Sequence, residues 1–270
     1  MVDLEIAYRI MAEPDPQNPS SATFAPRLSA PPTSNRRKPT LAICHPWFDR
    51  ADTPVHDRCT AALSYLAREH GYKPVSITLP LLHEGQLAHA ITIMTEVLSG
   101  CPPSVLKNLT PANKILLSVA SRTSSLDFLQ AQRLRNLLMQ HLAHLFAEHG
   151  EDTIIVTPTT PNAGWSHREA DLGPYGVSDG NMQLRNMEYA FLANFTGCPA
   201  LTAPVGYLPG SVGKGPVPVG LMGMAEWGNE EGLLEFGYDL ERWVHEGLEG
   251  GKTEARGGVD VWGLVRGERG

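Results

Sequence analysis

The segment Asn194-Phe195-Thr196-Gly197-Cys198-Pro199-Ala200-Leu201-Thr202-Ala203-Pro204-Val205-Gly206, with Pro218-Val219-Gly220-Leu221-Met222 shortly after it, decides the fold of this chain. Before it, Leu184, Met187, Phe191 and Phe195 recur at helical spacing, so the spacing predicts one helix that ends at Gly197 in the C-cap position. Residues 200–205 and 217–222 then read as apolar strands. Leu233, Phe236, Leu240 and Val244 give a closing amphipathic helix. A helix, two strands and a helix in that order form the core of an α/β layer, in which helices bury one stripe against a sheet.

Working towards the amino terminus, the same alternation continues. Residues 153–156 form an apolar run closed by Pro158 and Pro161, and read as a buried strand. Leu134, Leu138, Leu142 and Leu145 mark one face of a long helix over 125–148, and helices are also predicted over 84–99 and 112–121. Val75-Ser76-Ile77-Thr78-Leu79 alternates with period two and stops at Pro80, as a strand does. Thr40 to Cys44 is a short strand, and Val55, Cys59, Ala62, Leu63 and Leu66 are spaced as a helix that Gly71 ends. Residues 3–12 are a short helix. The prolines between 14 and 39 remove backbone donors and forbid helix, so a flexible surface loop is expected there. At the other end, 247–270 is glycine-rich with no apolar periodicity, and disorder is expected. The fold class that follows is α/β.

Composition bounds the function. At 270 residues and 42% hydrophobic, the chain is long enough for a sizeable core. A net charge of −7 works against nonspecific nucleic-acid binding, which depends on Lys and Arg neutralising phosphates. Arg36-Arg37-Lys38 is the tight basic cluster and is too short for a phosphate-binding patch. There is no run of apolar residues long enough for a membrane span, and no secretory leader is legible. Cys44, Cys59, Cys101 and Cys198 stand at irregular spacings without a C-x-x-C pair, which fits reduced thiols and a cytoplasmic location.

Five segments in order carry a resemblance to a known family. These are Asp3 through Pro16, Leu41-Ala42-Ile43-Cys44-His45-Pro46-Trp47-Phe48, Asp127 through Arg135, Thr157-Pro158-Thr159-Thr160-Pro161, and the two closing segments quoted first. The chain resembles the amidase signature enzymes, in the acetamidase and fatty acid amide hydrolase-like branch, and specifically their C-terminal portion over 1–246. The resemblance implies a mixed β-sheet flanked by helices on both faces. It also implies hydrolysis of carbon–nitrogen bonds by a serine, a second serine on a cis peptide and a lysine, without cofactor or metal. Those groups lie in or before a Gly/Ser-rich stretch upstream of the matched segments, and no such stretch occurs in these residues. Met1 falls where a complete member is in mid-chain, so a fragment is the expectation.

The candidate catalytic set in this chain is therefore empty. The lysines at 38, 73, 107, 214 and 252 lie in loops or element ends and Lys114 in a helix, and none follows an apolar strand into a Ser/Gly turn. Gly176-Val177-Ser178-Asp179-Gly180 matches the G-x-S-x-G nucleophile pattern, with Asp239 and His245 after it. That elbow must join an apolar strand to a helix, and Asp171-Leu172-Gly173-Pro174-Tyr175 precedes it, so an ordinary turn is expected. His141, His144 and Glu148 share a helix face at metal-ligand spacing but flank the apolar stripe. Gly210-Ser211-Val212-Gly213-Lys214-Gly215 lacks the spacing of a phosphate loop.

What the resemblance does assign is pocket wall. Thr159, Pro161, Phe191 and Phe195 are candidates for lining the acyl side of a substrate site, with plain core packing the alternative for the two phenylalanines. Trp47 is open to either reading, and Asn194 and Thr196 are expected to tie their helix end to the next strand. A small amide is expected as substrate only if the catalytic half is supplied. The expected partners are an amidase N-terminal half or a second copy. The alternative function is a non-catalytic remnant serving as a binding or interaction module.

Overall fold

The computed structural model describes residues 1–18, 39–150, 152–165, 173–210 and 215–244. Most of the proline-rich stretch, Arg36 to Lys38, Lys214, His245 and the glycine-rich tail lie outside the described residues.

The elements run α1 (Val2–Met11), β1 (Thr40–Ile43), α2 (His45–Phe48), α3 (Thr53–Glu69), β2 (Lys73–Ser76), α4 (Leu82–Gly100), α5 (Pro103–Asn108), α6 (Pro111–Ala120), α7 (Ser125–His149), β3 (Ile154–Pro158), α8 (Gly180–Asn186), α9 (Ala190–Thr196), β4 (Ala200–Leu208), β5 (Val217–Ala225) and α10 (Glu230–Arg242). The strands form one mixed sheet in the order β2-β1-β3-β5-β4. β1 is parallel to β2 and β3, whereas β5 runs antiparallel to both β3 and β4. The expected α/β fold with a mixed sheet is thus the observed one.

Burial explains the layers. Successive side chains of a strand point to opposite faces, so Ile154 and Val156 join Leu201, Ala203 and Leu221 on the face packed by α3 and α10. Ile155, Met222 and Met224 point the other way, onto Leu142, Leu145 and Phe146 of α7 and Phe191 and Leu192 of α9. Gly223 is needed where two layers meet, since a Cβ there would lie 2.8 Å from Ile154 Cγ2 and 2.9 Å from the Phe236 ring. α1 lies along α10, held by the Met1 ammonium on Glu241 at 2.7 Å and by the Tyr238 hydroxyl donating to Glu5 at 2.6 Å. At the foot of α10, buried Asp239 accepts from the Tyr72 hydroxyl at 2.9 Å and meets His70 Nδ1 at 3.2 Å. α7 starts on a capping box in which Ser124 and Asp127 satisfy each other's backbone donors.

Two local expectations are corrected. The second strand is Lys73–Ser76, not 75–79: its partner β1 ends at Ile43, whose carbonyl takes the last ladder bond from Ile77 at 3.0 Å. As an edge strand β2 is largely exposed, with Val75 half-buried. The single helix over 184–195 is broken into α8 and α9: after Asn186 the Met187 and Glu188 N–H groups turn to the Leu184 and Arg185 carbonyls three residues back, at 3.2 and 3.0 Å, and the Glu188 carbonyl accepts from Trp47 Nε1 at 3.1 Å. Leu184 is consequently exposed. Gly197 does end α9 in the left-handed region, at φ 76°.

Candidate substrate-side site

Parallel strands leave a crevice beyond their carboxyl ends, where following loops converge. Here β1 runs into α2 and β3 runs into Thr159-Thr160-Pro161-Asn162, with α8 and α9 closing over both. The loop after β3 is fastened at several points. Thr159 N–H donates to the Gly220 carbonyl at 2.9 Å, and its hydroxyl lies 3.3 Å from that of Thr202 on β4. Gly220 makes that approach possible: a Cβ would come within 2.5 Å of Thr159 Oγ1 and 2.9 Å of Thr202 Cγ2. The Pro161 carbonyl accepts from Asp52 N–H at 2.7 Å, fixing the loop to the start of α3. Asn162 is buried and fully engaged, donating to Asn186 Oδ1 at 2.9 Å and accepting from Gly164 N–H at 2.9 Å.

Two ion pairs fasten α8 and the turn after it to the β1 side of the crevice. Arg185 pairs with Asp52, and Arg50 with Glu188 at 2.8 Å. Beneath them Trp47 is fully buried, its indole N–H donating to both the carbonyl and the carboxylate of Glu188 at 3.1 Å. The Tyr189 hydroxyl donates back to the Phe48 carbonyl at 3.1 Å, and burial together with the Glu188 carboxylate pushes that phenol well above its usual range. Trp47 therefore resolves as a buried anchor.

The four sequence-predicted pocket residues divide into two groups. Thr159 and Pro161 sit in the loop beyond β3, Thr159 half-exposed and Pro161 buried. Phe191 and Phe195 lie in the helical layer: Phe191 packs 6.0 Å from the Trp47 ring, and Phe195 joins Ala88, Ala131 and Leu138. His89 on α4 touches both phenylalanines, at 6.4 and 6.0 Å between ring centroids. Thr196 turns its hydroxyl back to the Leu192 carbonyl at 2.6 Å instead of reaching the next strand, and Asn194 is exposed. Sequence reasoning missed Thr157, whose hydroxyl is buried without a hydrogen-bond partner at the end of β3, and the roles of Arg185 and Glu188. The Thr157-Pro158-Thr159-Thr160-Pro161 run carried a signal for the first. Nothing local marked the other two, whose partners are more than a hundred residues away.

Burial of His89 disfavours its charged form and lowers its pKa from the ordinary 6.5. The sign follows: the unfolded chain binds the proton more readily, so stability is full above about pH 6.5 and falls as the pH drops through the interval down to the folded value. His89→Phe is expected to flatten that acid limb in urea denaturation series, and an unchanged pH profile would contradict it.

The arrangement can bind and orient polar groups. Among the described residues it offers no activated nucleophile. Cys59 is buried, which pushes its thiol up to about 12, and Cys198 is pushed up to about 11 for the same reason. Ser178 is exposed on a loop that follows the Gly173–Gly176 turn, and among the described residues no strand leads into it. Asp239, its supposed triad partner, is committed to Tyr72 and His70. His141 meets the Thr78 carbonyl at 3.1 Å, and among the described residues no cluster of His, Cys, Asp and Glu is gathered for a metal. Lys73, Lys107 and Lys114 are exposed. Among the described residues no helix is long and apolar enough to cross a membrane.

The family model described as amidase matches residues 1–234. Fatty acid amide hydrolase of Medicago truncatula is 27% identical over 261 residues, covering 89% of this chain and 40% of its own length. Fatty acid amide hydrolase of Arabidopsis thaliana is 30% identical over 184 residues, covering 65% of this chain and 28% of the relative. Among solved structures, an amidase superposes with a TM-score of 0.62 at 17% identity over 78% of this chain and 47% of its own. The allophanate hydrolase of Kluyveromyces lactis does so at 0.63 and 18%, over 90% of this chain and 38% of that one. The chain thus spans 40% of the length of the Medicago truncatula relative and 28% of that of the Arabidopsis thaliana relative.

Proposed function

This chain belongs to the amidase family, and on that premise we propose that it is the C-terminal part of a hydrolase of carbon–nitrogen bonds. In this reading it supplies one wall of the substrate site and takes its catalytic serines and lysine from a complementary portion. The observation that carries the reading is the mismatch of coverage: 89% of this chain aligns with only 40% of the Medicago truncatula relative. The chemistry agrees, because a serine hydrolase needs a base beside its nucleophile and N–H groups aimed at the oxyanion, and neither the sequence motifs nor the described residues of the crevice supply that set. Thr159 and Pro161 are then the polar and apolar contacts of the wall. Phe191 and Phe195 support it from the helical layer, and with Trp47 they set the shape of the crevice.

A complementary portion should also cover surface that this chain leaves open. Val2, Ile6, Ile10 and Met11 of α1 and Ile115, Leu116 and Val119 of α6 are exposed, and apolar area of that kind marks interaction sites. The chain alone is expected to self-associate and bind the dye ANS. Co-expression with an amidase N-terminal portion that carries the Ser–cis-Ser–Lys set is expected to yield a soluble complex with weak dye binding and turnover of amides. A monomeric chain that unfolds cooperatively and ignores ANS would instead favour an independent, remodelled binding module.

A further inference from the structure

β4 is the end strand of the sheet, and the phase of its ladder tells which backbone groups face outward. Ala225 N–H donates to the Pro199 carbonyl at 3.1 Å, and Ala200 stands opposite Met224. In an antiparallel pair, residues alternate between exchanging both bonds with the partner strand and turning both groups away. Leu201 and Ala203 therefore bond inward to β5, while Ala200 and Thr202 point N–H and C=O outward. Pro204 is next in that phase and offers a carbonyl alone. Among the described residues no strand lies on this side, and the side chains of Ala200, Thr202 and Pro204 are exposed.

The same edge borders a cleft of about 480 Å³ between α1 and α10, walled by Leu4, Ala7, Met11 and Leu233. Glu230, the first residue of α10, also lines it, and its Oε2 is buried there without a hydrogen-bond partner. A buried carboxylate oxygen left unpaired is costly, which makes it a receptor for a donor from outside. Glu5, Glu231 and Glu235 gather around Arg9 in the adjoining hollow, so the surface is acidic. A second copy would bring the same acidic surface.

We propose that the β4 edge at 200–202 receives an extended strand of a partner polypeptide, which seats apolar side chains in the α1–α10 cleft and sets a basic side chain against Glu230. Strand addition of this kind draws affinity from main-chain bonds and specificity from alternate side chains. The inference deepens the reading above, that the chain works with a complementary portion, by naming the surface that receives it and the chemistry of the strand.

The probe is the capped peptide Thr-Val-Thr-Val-Thr-Lys, which presents Val, Val and Lys on one face, together with its counterpart ending in Glu. Titration into the full chain, followed by amide hydrogen exchange, is expected to show new protection at Ala200 and Thr202 with the Lys peptide. Glu230→Gln is expected to weaken its binding about tenfold, the scale of one charge-assisted bond. Thr202→Pro removes an outward N–H and is expected to abolish binding, whereas Thr202→Val keeps that N–H and is expected to leave binding intact. Unchanged protection of Leu201 and Ala203 in Thr202→Pro verifies that the sheet has survived, and the Glu230→Gln titration decides the matter if it has not. The proposal is overturned by equal binding of the two peptides, by no binding, by protection elsewhere, or by protection of this edge through self-association alone. Amide hydrolysis is no part of the readout, so failure here leaves the activity reading standing, and failed reconstitution of activity leaves this one standing.

Discussion

Replacing Trp47 with alanine is expected to remove a large share of the stability of the chain. The side chain is fully buried, packs its ring 5.4 Å from Tyr189 and 6.0 Å from Phe191, and donates to Glu188, which in turn pairs with Arg50. Truncating a core tryptophan costs about 3–5 kcal/mol, and here the carbonyl and half-buried carboxylate of Glu188 also lose their indole donor. Against a total of about 5–15 kcal/mol for a typical domain, the expected outcome is a large drop in the urea midpoint. Trp47→Phe keeps most of the packing and loses the donor, so it is expected to cost less. A midpoint unchanged in Trp47→Ala would mean that the α2 turn does not hold α8 and α9 to the sheet. Because the same residue positions Glu188 and through it Arg50, loosening it also opens the crevice beyond β1 and β3.

That anchor shows where sequence reading stopped. The layered architecture was legible because apolar periodicity changes cleanly from 3.6 to 2 around Gly197, Pro80 and Pro158, and each change coincides with an element boundary in the structure or lies within a few residues of one. Trp47 was ambiguous because its neighbours Pro46 and Phe48 suggest a surface turn, and the residues that bury it, Glu188 through Phe191, lie far along the chain. The break between α8 and α9 was invisible for the same reason: Leu184, Met187, Phe191 and Phe195 keep helical spacing through it. What the spacing hides is the tightened turn at Met187 and Glu188, whose carbonyl at 188 goes to the indole donor from α2. At the candidate site, Thr159 and Pro161 could be singled out by resemblance, but the role of Gly220 could not, since it depends on three segments meeting within van der Waals distance. The outward-facing groups of β4 were equally hidden, because strand order and ladder phase are properties of the folded sheet.

Chemistry gives the largest expected effect. The isolated chain is expected to show no turnover of small aliphatic or aromatic amides, because its sequence holds no Gly/Ser-rich catalytic stretch and its buried thiols are held protonated. Fluorophosphonate probes modify a serine only when a neighbouring group activates it, so they report on the catalytic set without any assumption about substrate. The most direct measurement is therefore intact mass and peptide mapping of the purified 270-residue chain after exposure to a fluorophosphonate, alone and in complex with an amidase N-terminal portion. No adduct on this chain in either state, with labelling confined to the complementary portion, is the predicted result. Stoichiometric labelling of any serine in this chain would contradict it, and an adduct at Ser178 would make the exposed Gly176–Gly180 loop the seat of an independent hydrolase.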